Sequence, residues 1–368
     1  MNVRNFRKIE WWIPLCAIIL CGIGLVALFS ASYDSGLDEF KKQAMWMGIS
    51  IGIMVVVMLI DYKILIKLSP ILYGIAILSV IAVLFTKPIS GARSWFVIGN
   101  DLFSFQPAET AKVFVILFLA YVISTIQRNG RDEINKIPKL ALILLTIAVP
   151  VLLIIIEPDY GTATAYIIAF LVMIFVAGID KKYIISAIAL VIIAVPLIYN
   201  FILPQHAKSR IDTFLHPESD PKGAGYNILQ SKLAIGAGEI TGMGVLNGNQ
   251  TQLGYLYPKT TDFIFSVIGE EMGFVVACSV IILNVIIITK SIQVAKGIKD
   301  DAGAYVAAGI AGIFLFHTLE NIGMTMGLLP ITGVPLLFVS YGRKFNDDEF
   351  LVFRNSTKYK QSKKKWNV

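Results

Sequence analysis

Cysteine is scarce in this 368-residue chain, and the three present, Cys16, Cys21 and Cys278, all fall inside long apolar runs. That placement leaves no disulfide framework and no cysteine metal cluster. Histidine is equally rare, and His206 and His216 stand in a polar stretch with no second ligand at metal spacing. Charge is the larger shortage. Asp, Glu, Lys and Arg supply 15% of the residues against about a quarter in soluble domains, which excludes a water-soluble globule. There is no glycine-rich phosphate loop, so an ATP-driven pump on this chain alone is excluded too. Nothing in it reads as a nucleic-acid module or as a transpeptidase domain, and no internal repeat is visible.

What the chain has in abundance is apolar runs. Hydrophobic residues make up 56% and the mean hydropathy is +0.72. The runs recur at lengths close to the ~20 residues that cross a bilayer core. They predict nine spans, near Trp11–Ser30, Ala44–Ile60, Leu68–Phe85, Thr110–Ile126, Leu140–Ile156, Thr162–Gly178, Tyr183–Phe201, Phe263–Thr289 and Ala302–Leu329. The first is too long, and too cleanly followed by others, for a cleaved signal peptide. The expected fold class is therefore all-α: a polytopic membrane helix bundle.

Basic residues orient it. With the N-terminus inside, the short inner segments hold fourteen Lys and Arg, and the short outer ones hold only Lys41, Lys42, Lys87 and Arg93. The positive-inside rule then predicts a cytoplasmic N-terminus, with the net charge of +7 meeting anionic lipid headgroups. Two stretches break the pattern. Residues 203–261 are polar and glycine-rich, and topology puts them outside as one large extracytoplasmic loop. The tail from Arg343 onward is basic and unlike anything before it.

Ionisable groups in or beside spans suggest function by default, and here they gather on one side. Arg93 precedes span four. Gln106-Pro107-Ala108-Glu109-Thr110-Ala111-Lys112 opens that span, with Pro107 suited to its first turn and Glu109 and Lys112 three apart on one face. Glu157-Pro158-Asp159-Tyr160-Gly161-Thr162 joins spans five and six. Asp262 stands where the large loop enters span eight, with Glu270 and Glu271 expected about two turns further in. Each has a plainer reading. Glu109 and Lys112 suit a structural ion pair, Asp159 a helix cap, the two glutamates helix packing. His317, Glu320 and Asn321 suit a buried hydrogen-bond cluster or, less simply, a proton relay. Asp61 and Asp180 read as solvated interface charges. Asp262 suits either a cap or a general base, since a half-desolvated carboxylate at a cavity border is what a base needs.

From Arg210 to Phe274 the residues resemble the SEDS family of bacteria (shape, elongation, division and sporulation). The resemblance rests on Pro217-Glu218-Ser219-Asp220-Pro221, Gly225-Tyr226-Asn227, Gln230-Ser231-Lys232, Gly242-Met243-Gly244, Thr261-Asp262-Phe263 and Gly269-Glu270-Glu271. It resumes at Leu329-Pro330-Ile331-Thr332-Gly333-Val334-Pro335 and Val339-Ser340-Tyr341-Gly342, so it covers about residues 10–342 of a membrane domain spanning 1–342. Pro217–Pro221 and Gln250-Thr251-Gln252-Leu253 are most like the RodA branch, which serves rod elongation.

The resemblance implies ten spans and a peptidoglycan glycosyltransferase at the bacterial cytoplasmic membrane. Such an enzyme polymerises lipid II, an undecaprenyl-diphosphate-linked disaccharide-pentapeptide, on the outer face. It implies that Asp262 is the essential aspartate, activating the attacking hydroxyl. It also implies a class B penicillin-binding protein as partner. A diphosphate leaving group needs positive charge, and Arg93, Lys112 and Arg210 are on the side to supply it; Glu109 and Asp159 join them as candidate substrate-binding residues. A divalent cation could assist, although no metal-ligand cluster is legible. Two other classes compete: a lipid II flippase, which needs its essential charges through the midplane, and a non-catalytic scaffold of the synthesis complex.

Two departures stand out. Ala108 replaces the family's usual serine. After Tyr341 the family continues Gly-Gly-Ser-Ser and adds a tenth span, whereas here Gly342 is followed by Arg343 and residues 343–368 form a non-family basic tail. The genetic code points to a shifted reading frame. The codons required by Lys344-Phe345-Asn346-Asp347-Asp348-Glu349-Phe350, read one base later, permit Ser-Ser-Met-Met-Thr-Asn, and that of Arg343 permits Gly. Further on the shifted frame permits an apolar stretch.

Overall fold

The apolar runs do become helices. The computed structural model describes residues 10–59, 61–87, 93–98, 103–202 and 205–342. Among these, nine helices are long and apolar enough to cross a membrane. They are α1 (Trp12–Ala31), α2 (Asp38–Leu59), α3 (Tyr62–Val83), α4 (Pro107–Gln127), α5 (Ile137–Ile156), α6 (Tyr160–Ala177), α7 (Lys181–Leu197), α11 (Ile264–Gly297) and α12 (Asp301–Thr325). The polar stretch adds the shorter α8 (Gln205–Leu215), α9 (Ala224–Ala237) and α10 (Asn249–Gln252). A hairpin of β1 (Phe96–Ile98) and β2 (Phe103–Phe105), paired Phe96 to Phe105, precedes α4. Among the described residues this strand pair is the one departure from an all-α reading, which otherwise holds.

The C-terminus of α1 touches the polar stretch through Ser30, whose hydroxyl accepts from the backbone N–H of Leu246. That contact defines a loop end of the bundle. Antiparallel alternation then puts the C-termini of α1, α3, α5 and α12 and the N-termini of α4, α6 and α11 there. Arg128, Arg131, Lys136, Lys139, Lys181, Lys182, Lys296 and Lys299 all lie by helix ends at the opposite end.

Helix α12 is the central element. Of its apolar core 89% is buried inside the protein, against 0% for α7, so α12 is wrapped by other helices and α7 lies at the periphery of the bundle. Small residues make that possible. A Cβ on Gly312 would stand 2.7 Å from Cα of Ala169 in α6, and one on Gly309 would stand 2.7 Å from the sulfur of Met173. Without a hydrophobic force between helices in lipid, such close backbone approach is what holds them. Helix α12 packs on α6, α11 and α4, and α11 packs on α1.

The expected span eight is really two pieces. Gly273, with φ 79° and ψ −178°, interrupts α11, a conformation glycine adopts at no steric cost. The carbonyls freed by the break are taken up by the loop. Met243 N–H donates to Glu270 O at 2.9 Å, Gly244 N–H donates to Glu271 O at 3.0 Å, and Phe274 N–H donates to Glu239 O at 2.9 Å. This is why Gly242-Met243-Gly244 and Gly269-Glu270-Glu271-Met272-Gly273 occur together, since each glycine lets the other strand close. The membrane-crossing part of α11 therefore starts near Phe274.

That corrects the depth assigned to Glu270 and Glu271. They are fully buried, but at the loop end. Glu270 accepts from the N–H groups of Gln250 and Thr251 and from the Thr251 hydroxyl, capping α10. Glu271 accepts from Ser30 Oγ at 2.7 Å and Gln252 Nε2 at 2.8 Å. Both are clasps for the loop, and neither lines the midplane.

Candidate active site

Helix α4 starts where Pro107 fixes the first turn, and this puts Lys112 about 8 Å below the loop end at 1.5 Å per residue. Its ammonium, 4% exposed, donates to Glu109 Oε2 at 2.9 Å. It also lies 3.0 Å from His317 Nε2 on α12. The expected i,i+3 pair thus exists, with a third member 205 residues away.

Glu109 reaches onward to α6, where Thr162 Oγ1 donates to it at 3.4 Å and to Asp159 Oδ2 at 2.9 Å. Asp159 is indeed the cap of α6, accepting from Thr162 N–H at 3.1 Å. It also accepts from Gln106 Nε2. Cap and site member are the same residue. One chain of polar contacts therefore runs from Gln106 through Asp159, Thr162, Glu109 and Lys112 to His317, across α4, α6 and α12.

Beside it lies Glu157, wholly buried, with no hydrogen-bond partner on either carboxylate oxygen; Ser94 Oγ and Gln106 Oε1 are likewise buried and unpartnered. Burial first, and then the Asp159 charge, push the Glu157 pKa up to about 8, with the Ser94 hydroxyl acting in the other direction. The sign follows. Unfolded, the group ionises near 4.5; folded, it keeps its proton to about 8. Stability from this group is complete below pH 4.5 and is lost as pH rises through that window. Glu157→Gln is expected to unfold at nearly the parental temperature near pH 4.5. Above pH 8 it should unfold higher, by roughly 2–4 °C for each kcal/mol of penalty removed. Thermal unfolding in detergent at the two pH values checks this, and an equal shift at both would assign the effect to packing.

Asp262 sits where the loop enters α11, and its segment is anchored through the backbone. Asn321 Nδ2 donates to Asp262 O at 3.1 Å, Ser340 Oγ to Thr261 O at 2.9 Å, and Tyr341 N–H to Thr260 O at 2.9 Å. A Cβ on Gly333, where φ is 73°, would stand 3.5 Å from Asp262 Oδ2, so this glycine lies directly beside the carboxylate. The turn 331–335 carries it. The turn is tied to α12 by Thr332 Oγ1 donating to Glu320 Oε1 at 2.7 Å and Asn321 Nδ2 donating to Val334 O at 2.9 Å.

Other expectations need correction. His317, Glu320 and Asn321 are all buried, but each bonds a different partner and together they clasp residues 331–335 and Lys112, so they are not a mutual cluster. Arg93 is exposed and turns back to donate to Leu84 O at 3.3 Å, capping the end of α3. Arg210 is exposed on α8. The described contacts bring neither arginine to Lys112. Asp61 caps α3 through Lys63 N–H at 3.1 Å. The Ser-x-x-Lys spacing at Ser219–Lys222 lies on an exposed turn, with Ser219 Oγ donating to His216 O at 2.7 Å. Among the described residues no three His, Cys, Asp or Glu are placed to hold a metal.

Comparison with known proteins bears on this arrangement. The profile of the family described as cell cycle protein (FtsW, RodA, SpoVE) matches residues 10–343. The chain belongs to this family. It is 36% identical to peptidoglycan glycosyltransferase MrdB of Escherichia coli K12, over 89% of this chain and 88% of that one. It is 29% identical to peptidoglycan glycosyltransferase RodA of Treponema pallidum, over 93% and 95%, and 33% identical to stage V sporulation protein E of Bacillus subtilis, over 89% and 90%. Two solved structures share the fold. One is a chain of a peptidoglycan synthase complex that coordinates polymerization and crosslinking, at TM-score 0.77 with 24% identity over 94% of this chain and 95% of that one. The other is the rod shape determining protein RodA of Thermus thermophilus, at TM-score 0.68 with 24% identity over 95% of each. The chain is a multi-pass membrane protein of the FtsW, RodA and SpoVE family.

Proposed function

We propose that this chain is a peptidoglycan glycosyltransferase that polymerises lipid II at the outer face of the bacterial cytoplasmic membrane during cell elongation. One observation carries the reading beyond kinship. The charges of Glu109 and Asp159, half-buried, those of Lys112, Glu270, Glu271 and Glu320, buried, and the carboxylate of Asp262 all fall at or within about two turns of the loop end, the geometry of a reaction at a membrane surface. A flippase needs charge through the midplane, and moving the two glutamates to the loop end removes its best support. The basic residues at the opposite end support a cytoplasmic N-terminus and an outer loop end.

In this reading Lys112 faces the donor's diphosphate and Asp262 takes the proton of the acceptor hydroxyl. The hydroxyl oxygen forms the new bond to the donor's anomeric carbon. The bond from that carbon to the phosphate oxygen breaks, and undecaprenyl diphosphate leaves with the electron pair. Positive charge near that oxygen favours departure. A class B penicillin-binding protein would crosslink the product, since nothing in this chain reads as a transpeptidase domain. Purified protein given labelled lipid II tests the reading: glycan polymer is expected, and lipid movement across a vesicle without polymer would overturn it.

Residues 343–368 lie outside the described residues. We propose that they are a shifted reading frame in place of a tenth span. The gene sequenced around codon 343 is expected to open, on insertion or removal of one base, a frame encoding an apolar helix. No such frame would end the idea. Restoring it is expected to raise both thermal stability and activity of the purified protein.

A further inference from the structure

His317 is 1% exposed, and each of its ring nitrogens lies within hydrogen-bond reach of a polar atom. Its Nδ1 lies 2.9 Å from the carbonyl oxygen of Pro335, and its Nε2 lies 3.0 Å from Lys112 Nζ. A carbonyl oxygen can only accept, so Nδ1 carries the proton. A second proton on Nε2 would point a donor at an ammonium group. Nε2 is therefore the lone-pair nitrogen and Lys112 the donor. Two of the three ammonium N–H bonds are then committed, one to Glu109 and one to His317. They come from different helices, α4 and α12, so they fix the direction of the third.

The turn 331–335 thereby joins both halves of the site. At one end Gly333 lies beside the Asp262 carboxylate. Two residues on, the Pro335 carbonyl sets the tautomer of the histidine that holds Lys112.

We propose that His317 is the positioning residue of Lys112, holding the ammonium so that its remaining N–H meets the diphosphate oxygens of the polyprenyl-linked donor. The proposal rests on the glycosyltransferase reading for its ligand and on the structure alone for its tautomer. His317 touches neither substrate nor leaving group; it acts through Lys112. An ammonium tethered only to Glu109 would swing on its four-carbon stem, and a diphosphate contact would then lose the pre-organisation that makes it useful.

Two measurements test this on the full-length protein in lipid nanodiscs. The first needs no substrate. With three histidines in the chain, ¹⁵N-histidine spectra are simple, and the signal lost in His317→Gln identifies His317. The proton is expected on Nδ1, with the Nε2 resonance moving in Lys112→Met. A proton on Nε2 overturns the proposal whatever the protein's activity.

The second compares His317→Phe with His317→Gln, whose amide oxygen can still accept from Lys112. Binding of undecaprenyl diphosphate and the KM for lipid II are read with thermal unfolding alongside. Phenylalanine is expected to weaken both by about tenfold or more, the loss that accompanies one charge-assisted hydrogen bond. Glutamine should restore them to within about threefold. Equal loss in both variants, or a Phe variant that binds diphosphate as the parent does, overturns the positioning role. Parental protein that binds no diphosphate, with the tautomer as expected, sinks the assigned ligand and the glycosyltransferase reading while leaving the Lys112 contact standing.

Discussion

Asp262→Asn is expected to abolish polymerisation of lipid II and to leave the protein folded. The two side chains have nearly the same shape, and backbone contacts hold this segment in place. Thr260, Thr261 and Asp262 are each anchored through their carbonyl oxygens, by Tyr341, Ser340 and Asn321. The fold at Gly333, which lies beside Asp262, is likewise set by backbone. The substitution therefore keeps the shape and the backbone anchors and removes the ability to take a proton. A general base contributes ~100- to 10,000-fold, so the variant should fall to a hundredth of the parental rate or below. Labelled lipid II gives the rate and thermal unfolding gives the fold. A well-folded variant that polymerises at more than about a tenth of the parental rate would remove Asp262 from the role of base.

The helices were legible in the sequence because lipid imposes one rule on every span: about 20 apolar residues with all backbone groups satisfied internally. The interruption at Gly273 was not. A glycine inside an apolar run looks like any other membrane glycine, and the break shows only when the N–H groups of Met243 and Gly244 are seen taking the freed carbonyls. From that one omission came the wrong depth for Glu270 and Glu271.

The site divides in the same way. Glu109 with Lys112, and Asp159 as a cap, follow from local spacing and were visible. His317 meets Lys112 across 205 positions, and no periodicity relates them. Its signal was a lone histidine in an apolar helix, which sequence alone could not aim. Gln106 and Glu157 were on the page within their motifs, but only the fold shows that they are buried beside Asp159. Arg93 and Arg210 show the opposite error. Their charge and their side of the membrane were legible, but direction was not, and Arg93 spends its guanidinium on a helix end.

Exchanging the charges of Glu109 and Lys112 is expected to be as damaging as Lys112→Ala, on the order of 100-fold in polymerisation. A structural pair would survive the exchange, since an ammonium and a carboxylate would still face each other one turn apart on α4. The neighbours do not allow it. A carboxylate at position 112 would point an acceptor at the lone pair of His317 Nε2, whose tautomer the Pro335 carbonyl fixes. An ammonium at position 109 would end the contact in which the Thr162 hydroxyl reaches Glu109 Oε1, leaving that hydroxyl to donate to Asp159 alone. Groups this buried lose several kcal/mol when their partners are mismatched, and the donor diphosphate would meet a carboxylate where it needs a cation. Lys112→Ala removes that cation and should show the same loss. Polymerisation by the double variant at close to the parental rate would make the pair structural and take Lys112 out of the site.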